Sequence, residues 1–111
     1  MTVTAKNLVP AKFAEATQTT QYTAVNVTTI IDKFTATNIS GSSATINVNL
    51  VTYTDTAADR NLITKQKTLA ASEVYTFPEL VGQILSPGSF ISTIAGTASA
   101  INIRASGREI S

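Results

Sequence analysis

The side chains that most often carry catalysis are missing: the 111 residues include no His and no Cys. The commonest general base and the commonest transition-metal ligand are therefore absent, and a Ser-His-Asp triad cannot be assembled. The polar chemistry that remains is sparse. Asp55 and Asp59 lie in Thr54–Asn61, TDTAADRN, but a calcium loop wants more oxygen ligands at tighter spacing and usually a Gly for its turn. That stretch reads as a solvated loop. Every Lys falls in a polar or edge-like setting, against a Ser-Lys dyad. The seven acids include no close pair on one strand face of the kind glycoside hydrolysis uses. The five glycines are dispersed at turns and form no phosphate-cradling loop. The residues predict a chain that is not an enzyme and holds no cofactor or metal.

The elements are clearer than the chemistry. In Ile30–Tyr53, IIDKFTATNISGSSATINVNLVTY, two strand-like runs flank Asn38-Ile39-Ser40-Gly41-Ser42-Ser43. In the second run Ala44, Ile46, Val48 and Leu50 fall on one face and Thr45, Asn47 and Asn49 on the other, a period of two. The first run places Ile30, Phe34 and Ala36 in step, with Asp32 interrupting the face and Lys33, Thr35 and Thr37 opposite. Asn, Ser and Gly between the runs allow a chain reversal. The expectation is an antiparallel hairpin of two half-buried strands.

Along the rest of the chain, residues 1–20 suggest a short strand ending at Pro10, a helical turn over Ala11–Ala16 and a polar connection, the whole acting as an N-terminal strand or arm. Leu62–Leu69 alternates less cleanly. It places Ile63 and Leu69 on one face with Lys65 and Lys67, and strand lysines are a known protection for a sheet edge. Val74–Phe77 is a short strand stopped by Pro78, and Glu79–Leu85 fits one or two helical turns. Ser86-Pro87-Gly88-Ser89 is a turn. Phe90–Ala95 puts Phe90 and Ile94 on one face. Ser99–Ala105 returns with Ile101, Ile103 and Ala105 facing in and Asn102 and Arg104 out, before Gly107 breaks the strand.

About one residue in six is Thr, and with Val and Ile it favours the pleated surface of strands. Hydrophobic residues make up 43%, enough for a core, whereas charged residues are only 14% against roughly 25% in a typical soluble domain. The polar surface is built from hydroxyls and amides more than from ions. Seven or eight short strands at about ten-residue spacing predict an all-β fold. It is a single antiparallel β-sandwich over residues 21–111, jelly-roll or Ig-like, with the N-terminal strand or arm of residues 1–20 and at most one short helix. Eight basic and seven acidic residues leave a net charge of +1. Lys65 with Lys67 and Arg104 with Arg108 are the nearest approaches to a basic patch, too little for a nucleic-acid groove. No apolar run approaches the roughly 20 residues of a membrane helix, so neither nucleic acid nor membrane is an expected partner.

Several segments recur together, in this order, in one kind of protein. They are Asn38–Ala44, Leu69-Ala70-Ala71-Ser72-Glu73, Leu80-Val81-Gly82-Gln83-Ile84-Leu85, Pro87-Gly88 and Ala105-Ser106-Gly107-Arg108-Glu109-Ile110. From about Tyr22 onward the chain resembles the small β-sandwich virion proteins encoded in the structural gene blocks of tailed bacteriophages. The resemblance implies a non-enzymatic virion protein, assembled in the host cytoplasm, most of all a capsid decoration or cement protein that binds and stabilises the head shell. The alternative it implies is a binding module of the neck, tail or host-recognition fibre, with Asp55–Asn61 and Ser86–Ser89 as loops for glycan or receptor contact. Expected partners are the major capsid protein or other virion proteins and further copies of the chain in a dimer or trimer. Partner contacts are expected from the N-terminal strand, at Val3, Leu8, Val9 and Phe13, and from Lys65 and Lys67. Edge strands extending a neighbour's sheet are one route to such contacts.

Overall fold

The computed structural model describes residues 1–111. Nine strands form: β1 (Val3–Phe13), β2 (Thr19–Thr23), β3 (Thr28–Asn38), β4 (Ala44–Val51), β5 (Leu62–Leu69), β6 (Val74–Tyr75), β7 (Ile84–Leu85), β8 (Phe90–Ala95) and β9 (Ile101–Ile110). The only helical element is a 3-10 turn at Asp59–Asn61. Sheet A runs β1-β9-β3-β6, with β7 also on β3, and sheet B runs β2-β8-β4-β5. Every pairing is antiparallel. The expected all-β, antiparallel β-sandwich is the fold.

The strand order also decides between the two topologies expected. If the chain is folded back on itself at the β4–β5 loop, β4 meets β5, β3 meets β6 and β7, β2 meets β8, and β1 meets β9. Rolling that ribbon adds the β3–β9 and β4–β8 pairings that close each sheet. This is the winding of a jelly roll. Its core is one cluster of 21 buried side chains, with Phe34 and Phe77 meeting edge-on at a centroid distance of 4.9 Å. Aromatic pairs in this geometry add stability beyond the area they bury.

The expected hairpin does not form: β3 lies in sheet A and β4 in sheet B. Alternation reports which face of each strand is buried, and two strands facing each other across a core satisfy it as well as two paired neighbours. The linking segment is a bridge between layers, held by Asn38. Its buried amide donates to Ser42 O at 2.8 Å and Leu69 O at 2.9 Å, and its oxygen accepts from Ser40 N–H and Oγ. In β4 the expected faces hold, with Ala44, Ile46 and Val48 buried, although Asn49 is also buried. The turn before β5 covers it, and its amide donates to Ala58 O and Asn61 Oδ1.

Bulges explain the departures in β3 and β5. In β3 the register slips between Ile31 and Lys33, so Asp32 is an extra residue that reverses the alternation. Ile31 faces the core, and Ile30 faces out. In β5 the slip between Thr64 and Lys67 spans Gln66 at φ 46°, so Lys65 and Lys67 point to opposite faces. In β8 the core side is Ile91, Thr93 and Ala95, and Phe90 and Ile94 lie outside, the reverse of expectation.

Three boundaries also move. The strand expected in residues 1–20 runs through Pro10 to Phe13, and no helical turn forms at Ala11–Ala16. Pro10 is tolerated because β1 is the edge of sheet A, where a missing N–H breaks no ladder. Over the expected helix Glu79–Leu85 and the two residues before it, Phe77–Gln83 makes two successive i→i+3 turns, Leu80 N–H to Phe77 O and Gln83 N–H to Leu80 O, and β7 follows. The apolar spacing that suggested a helix instead buries Leu80 and Leu85 and exposes Val81 and Ile84. Gly107 does not end β9; it is buried where β1, β9 and β3 pinch together, and a Cβ there would lie 2.2 Å from Ile30 O.

Candidate functional site

The four sheet edges come first, because an open edge is a ready partner site. β1 carries Pro10, Lys6 and Lys12 and two register slips. β2 is five residues long with a slip between Thr20 and Tyr22. β5 carries Lys65 and the Gln66 bulge, and β6 and β7 are two residues each. Each edge is blunted by a device that discourages strand addition.

The outer face of sheet A is different. Register puts Thr28, Ile110 and Val3 in one row and Ile84, Ile30, Arg108 and Ala5 in the next. Val3 and Ile84 are exposed, Ile84 by 62%, and Ile30 and Ile110 are half-buried. At the far end of the same face, Phe13 and Val74 are exposed in the row through Asn102 and Thr37. Between these apolar ends Arg108 holds Asp32 in a forked pair, Nε to Oδ2 at 3.0 Å and Nη2 to Oδ1 at 2.9 Å. A shallow groove of about 480 Å³ runs beside the pair, with Arg104, Ser106 and Asn7 in its walls. An apolar surface rimmed by polar groups is the ordinary anatomy of a protein-docking face.

A second concavity lies at the end of the sandwich where the β2–β3, β4–β5 and β7–β8 loops meet. It has a volume of about 340 Å³ and is lined by Thr23, Ala24, Val25, Asn26, Tyr53, Pro87 and Gly88. Tyr53 is 66% exposed and Val25 67%.

Of the residues expected to meet a partner, Val3 and Phe13 lie on the outer face of sheet A and are exposed. Leu8 and Val9 are not available: the β1 register slip turns both inward, and they are 4% and 1% exposed within their own core. Lys65 is exposed on the edge strand β5, whereas Lys67 leans inward with Nζ 4.6 Å from the centre of the Tyr75 ring. The polar loop Thr54–Asn61 is internally pinned. Asp55 accepts hydrogen bonds from the Arg60 guanidinium and from the Thr56 N–H, and these hold its carboxyl down at about 2. Ile30, Ile84, Ile110 and Tyr53 were not singled out as contacts by sequence. Ile30 needed the Asp32 bulge to be known, and Ile84 needed the false helix to be recognised as a strand.

Every buried side-chain polar atom has a hydrogen-bond partner within the chain, and the ionisable clusters join the sheets. Tyr22 Oη lies 2.7 Å from Thr29 Oγ1 and donates to Glu109 Oε2 at 2.5 Å. On the opposite flank Tyr75 donates to Glu79 Oε1 at 2.7 Å, and Thr64 donates to Glu79 Oε2. Compared with known proteins, the chain matches no family model, and searches of the curated proteins and of the solved structures return no match.

Proposed function

We propose that the chain is a non-enzymatic structural protein of a tailed-bacteriophage virion, a decoration or cement protein that seats on the outside of the head shell through the outer face of sheet A. The observation that carries this reading is the character of that face: exposed apolar side chains at both ends, with the Arg108–Asp32 pair satisfied within the chain and Arg104 exposed without a salt bridge beside it. Covering a paired charge costs less than covering a lone one, so Arg104 calls for an acidic group on the partner. The blunted edges make face-on docking the better route than sheet extension. The sequence resemblance supplies the class of partner, the major capsid protein or another virion protein. A shell repeats its symmetry axes, so a dimer or trimer seated on one gains avidity from individually modest contacts.

Two measurements test this together. Quantitative mass spectrometry of purified virions should give a ratio to the major capsid protein near one or a simple fraction of it. The purified protein should co-sediment with expanded shells and raise their resistance to heat, and the double variant Val3→Asp, Ile84→Asp should not. Absence from virions, or failure to co-sediment, overturns the reading. A few copies per particle would instead place the protein in the neck, tail or fibre, a second reading that the Tyr53 cleft favours.

A further inference from the structure

We infer that the cleft between Tyr53 and the Ser86–Ser89 turn is a binding site for a neutral saccharide. The first argument is what the cleft lacks. None of its lining residues, Thr23 to Asn26, Tyr53, Pro87 and Gly88, carries a charge. A charged ligand would lose hydration there and gain no ionic partner. A ligand that fits must combine an apolar face with hydroxyls, which is the chemistry of a sugar ring.

The second argument is how Tyr53 is held. Thr52 O accepts from Asp55 N–H at 2.9 Å, closing a β-turn with Tyr53 at its first corner and Thr54 at its second. Thr54 has φ 71°, at a position such turns give to Gly or Asn. A β-branched residue adopts that conformation only where its surroundings enforce it. The Tyr53 ring then rests on Gly88, where a Cβ would lie 2.5 Å from Tyr53 Cδ1, so only glycine admits the contact. Across the cleft, Gly88 N–H donates to Ala24 O and Ala24 N–H to Ser89 O, tying the β2–β3 loop to the same turn. The ring is thus backed by main chain and still two-thirds exposed. It is a platform fixed before any ligand arrives, which lowers the entropy lost on binding.

The third argument is the polar complement. The neighbouring side chains of Gln21 and Tyr22 are engaged in hydrogen bonds, whereas the Thr23 hydroxyl, the Asn26 amide and the Tyr53 hydroxyl make none within the chain. They supply donors and acceptors of the neutral kind that sugar hydroxyls match. The volume of about 340 Å³ sits at the small end of ligand sites, roughly 300–1,000 Å³, suited to one or two sugar rings. The cleft lies at the loop end of the sandwich, beyond the Thr23–Phe90 pair of sheet B.

The test is a titration of the isotope-labelled full chain with glucose, galactose, mannose and N-acetylglucosamine, each alone, followed by amide NMR shifts. At least one sugar should move the amides of residues 23–26, 53, 54 and 88 and leave sheet A unmoved. Tyr53→Ala should weaken that response about tenfold or more, since the stacking surface is lost. Tyr53→Phe should keep most of it, which separates loss of the platform from loss of fold. No shift with any of the four sugars overturns the site, as does a response that Tyr53→Ala leaves intact or one that maps elsewhere.

Discussion

The jelly roll is clasped on its two flanks by the same four residue types in different settings. On one flank Tyr22 of sheet B reaches Thr29 and Glu109 of sheet A, with Lys6 Nζ 4.0 Å from the same carboxylate. On the other, Tyr75 of sheet A and Thr64 of sheet B meet on Glu79, and Lys67 lies over the tyrosine ring. Tyr22 and Thr29 are buried; Tyr75 and Glu79 are half-exposed. A hydrogen bond is worth most where losing it strands a partner away from water. The two clasps therefore share a composition but not an energy. The inner one fixes how the layers stack, and the outer one closes a rim that water can reach.

The largest expected effect follows directly. Tyr22→Phe leaves the Thr29 hydroxyl and the Glu109 carboxylate short of a partner, and should cost about 1.5–3 kcal/mol. Tyr75→Phe leaves Glu79 bonded to Thr64 and open to water, and should cost about 0.5–1 kcal/mol. Urea unfolding of the two variants beside the parent chain measures both. Equal losses would erase the distinction between the clasps.

Alkali separates the clasps by cause. Both hydroxyls are pushed up to about 12, Tyr22 mainly by burial and then by its bond to Glu109, Tyr75 mainly by its bond to Glu79. An unfolded tyrosine ionises near 10, so above that pH the unfolded chain sheds protons that the folded chain keeps. Stability from both groups is complete below pH 10 and declines as pH rises toward 12. Tyrosinate absorbance reads each group. Glu79→Gln should return Tyr75 most of the way to its ordinary value, whereas Glu109→Gln should leave Tyr22 well above it. If both tyrosines relax equally, burial is not what distinguishes them.

Neither clasp was legible in the sequence, and the reason is general to this winding. The alternation of Ala44, Ile46 and Val48 and that of Ile101, Ile103 and Ala105 gave their buried faces correctly, because side-chain period depends only on local backbone. Which strand lies beside which depends on how the ribbon rolls. Asn38–Ser43 therefore looked like a hairpin turn when it is a passage between layers. Single-residue bulges at Asp32 and Gln66 inverted faces that counting by twos had assigned, and a slip in β1 sent both Leu8 and Val9 inward. The same limit hid the Tyr53 cleft. The Pro87-Gly88 turn was visible, but its contact with a tyrosine 35 positions earlier exists only because the roll brings both loops to one end.

The smallest expected effect tests whether the outer clasp contributes at all. Burial works against the charge of Glu79, but the hydroxyls of Thr64 and Tyr75 outweigh it and hold the carboxyl below its ordinary value. A carboxyl depressed in the fold adds stability above its unfolded pKa, and that stability is lost as pH falls through the folded value. Below about pH 4.5 the parent chain should therefore weaken, and Glu79→Gln should weaken less steeply. The remaining acid slope should come from Asp55, held at about 2 by Arg60, and from Glu15, held low by Lys12 and Gln21. Solvent screening at this rim keeps the difference small, so the urea midpoint must be followed across pH 3–6 with both chains in parallel. An unchanged slope would mean that Glu79 is as well served by water in the unfolded chain as by its two hydroxyls, leaving the Tyr22 clasp as the one of the two that matters.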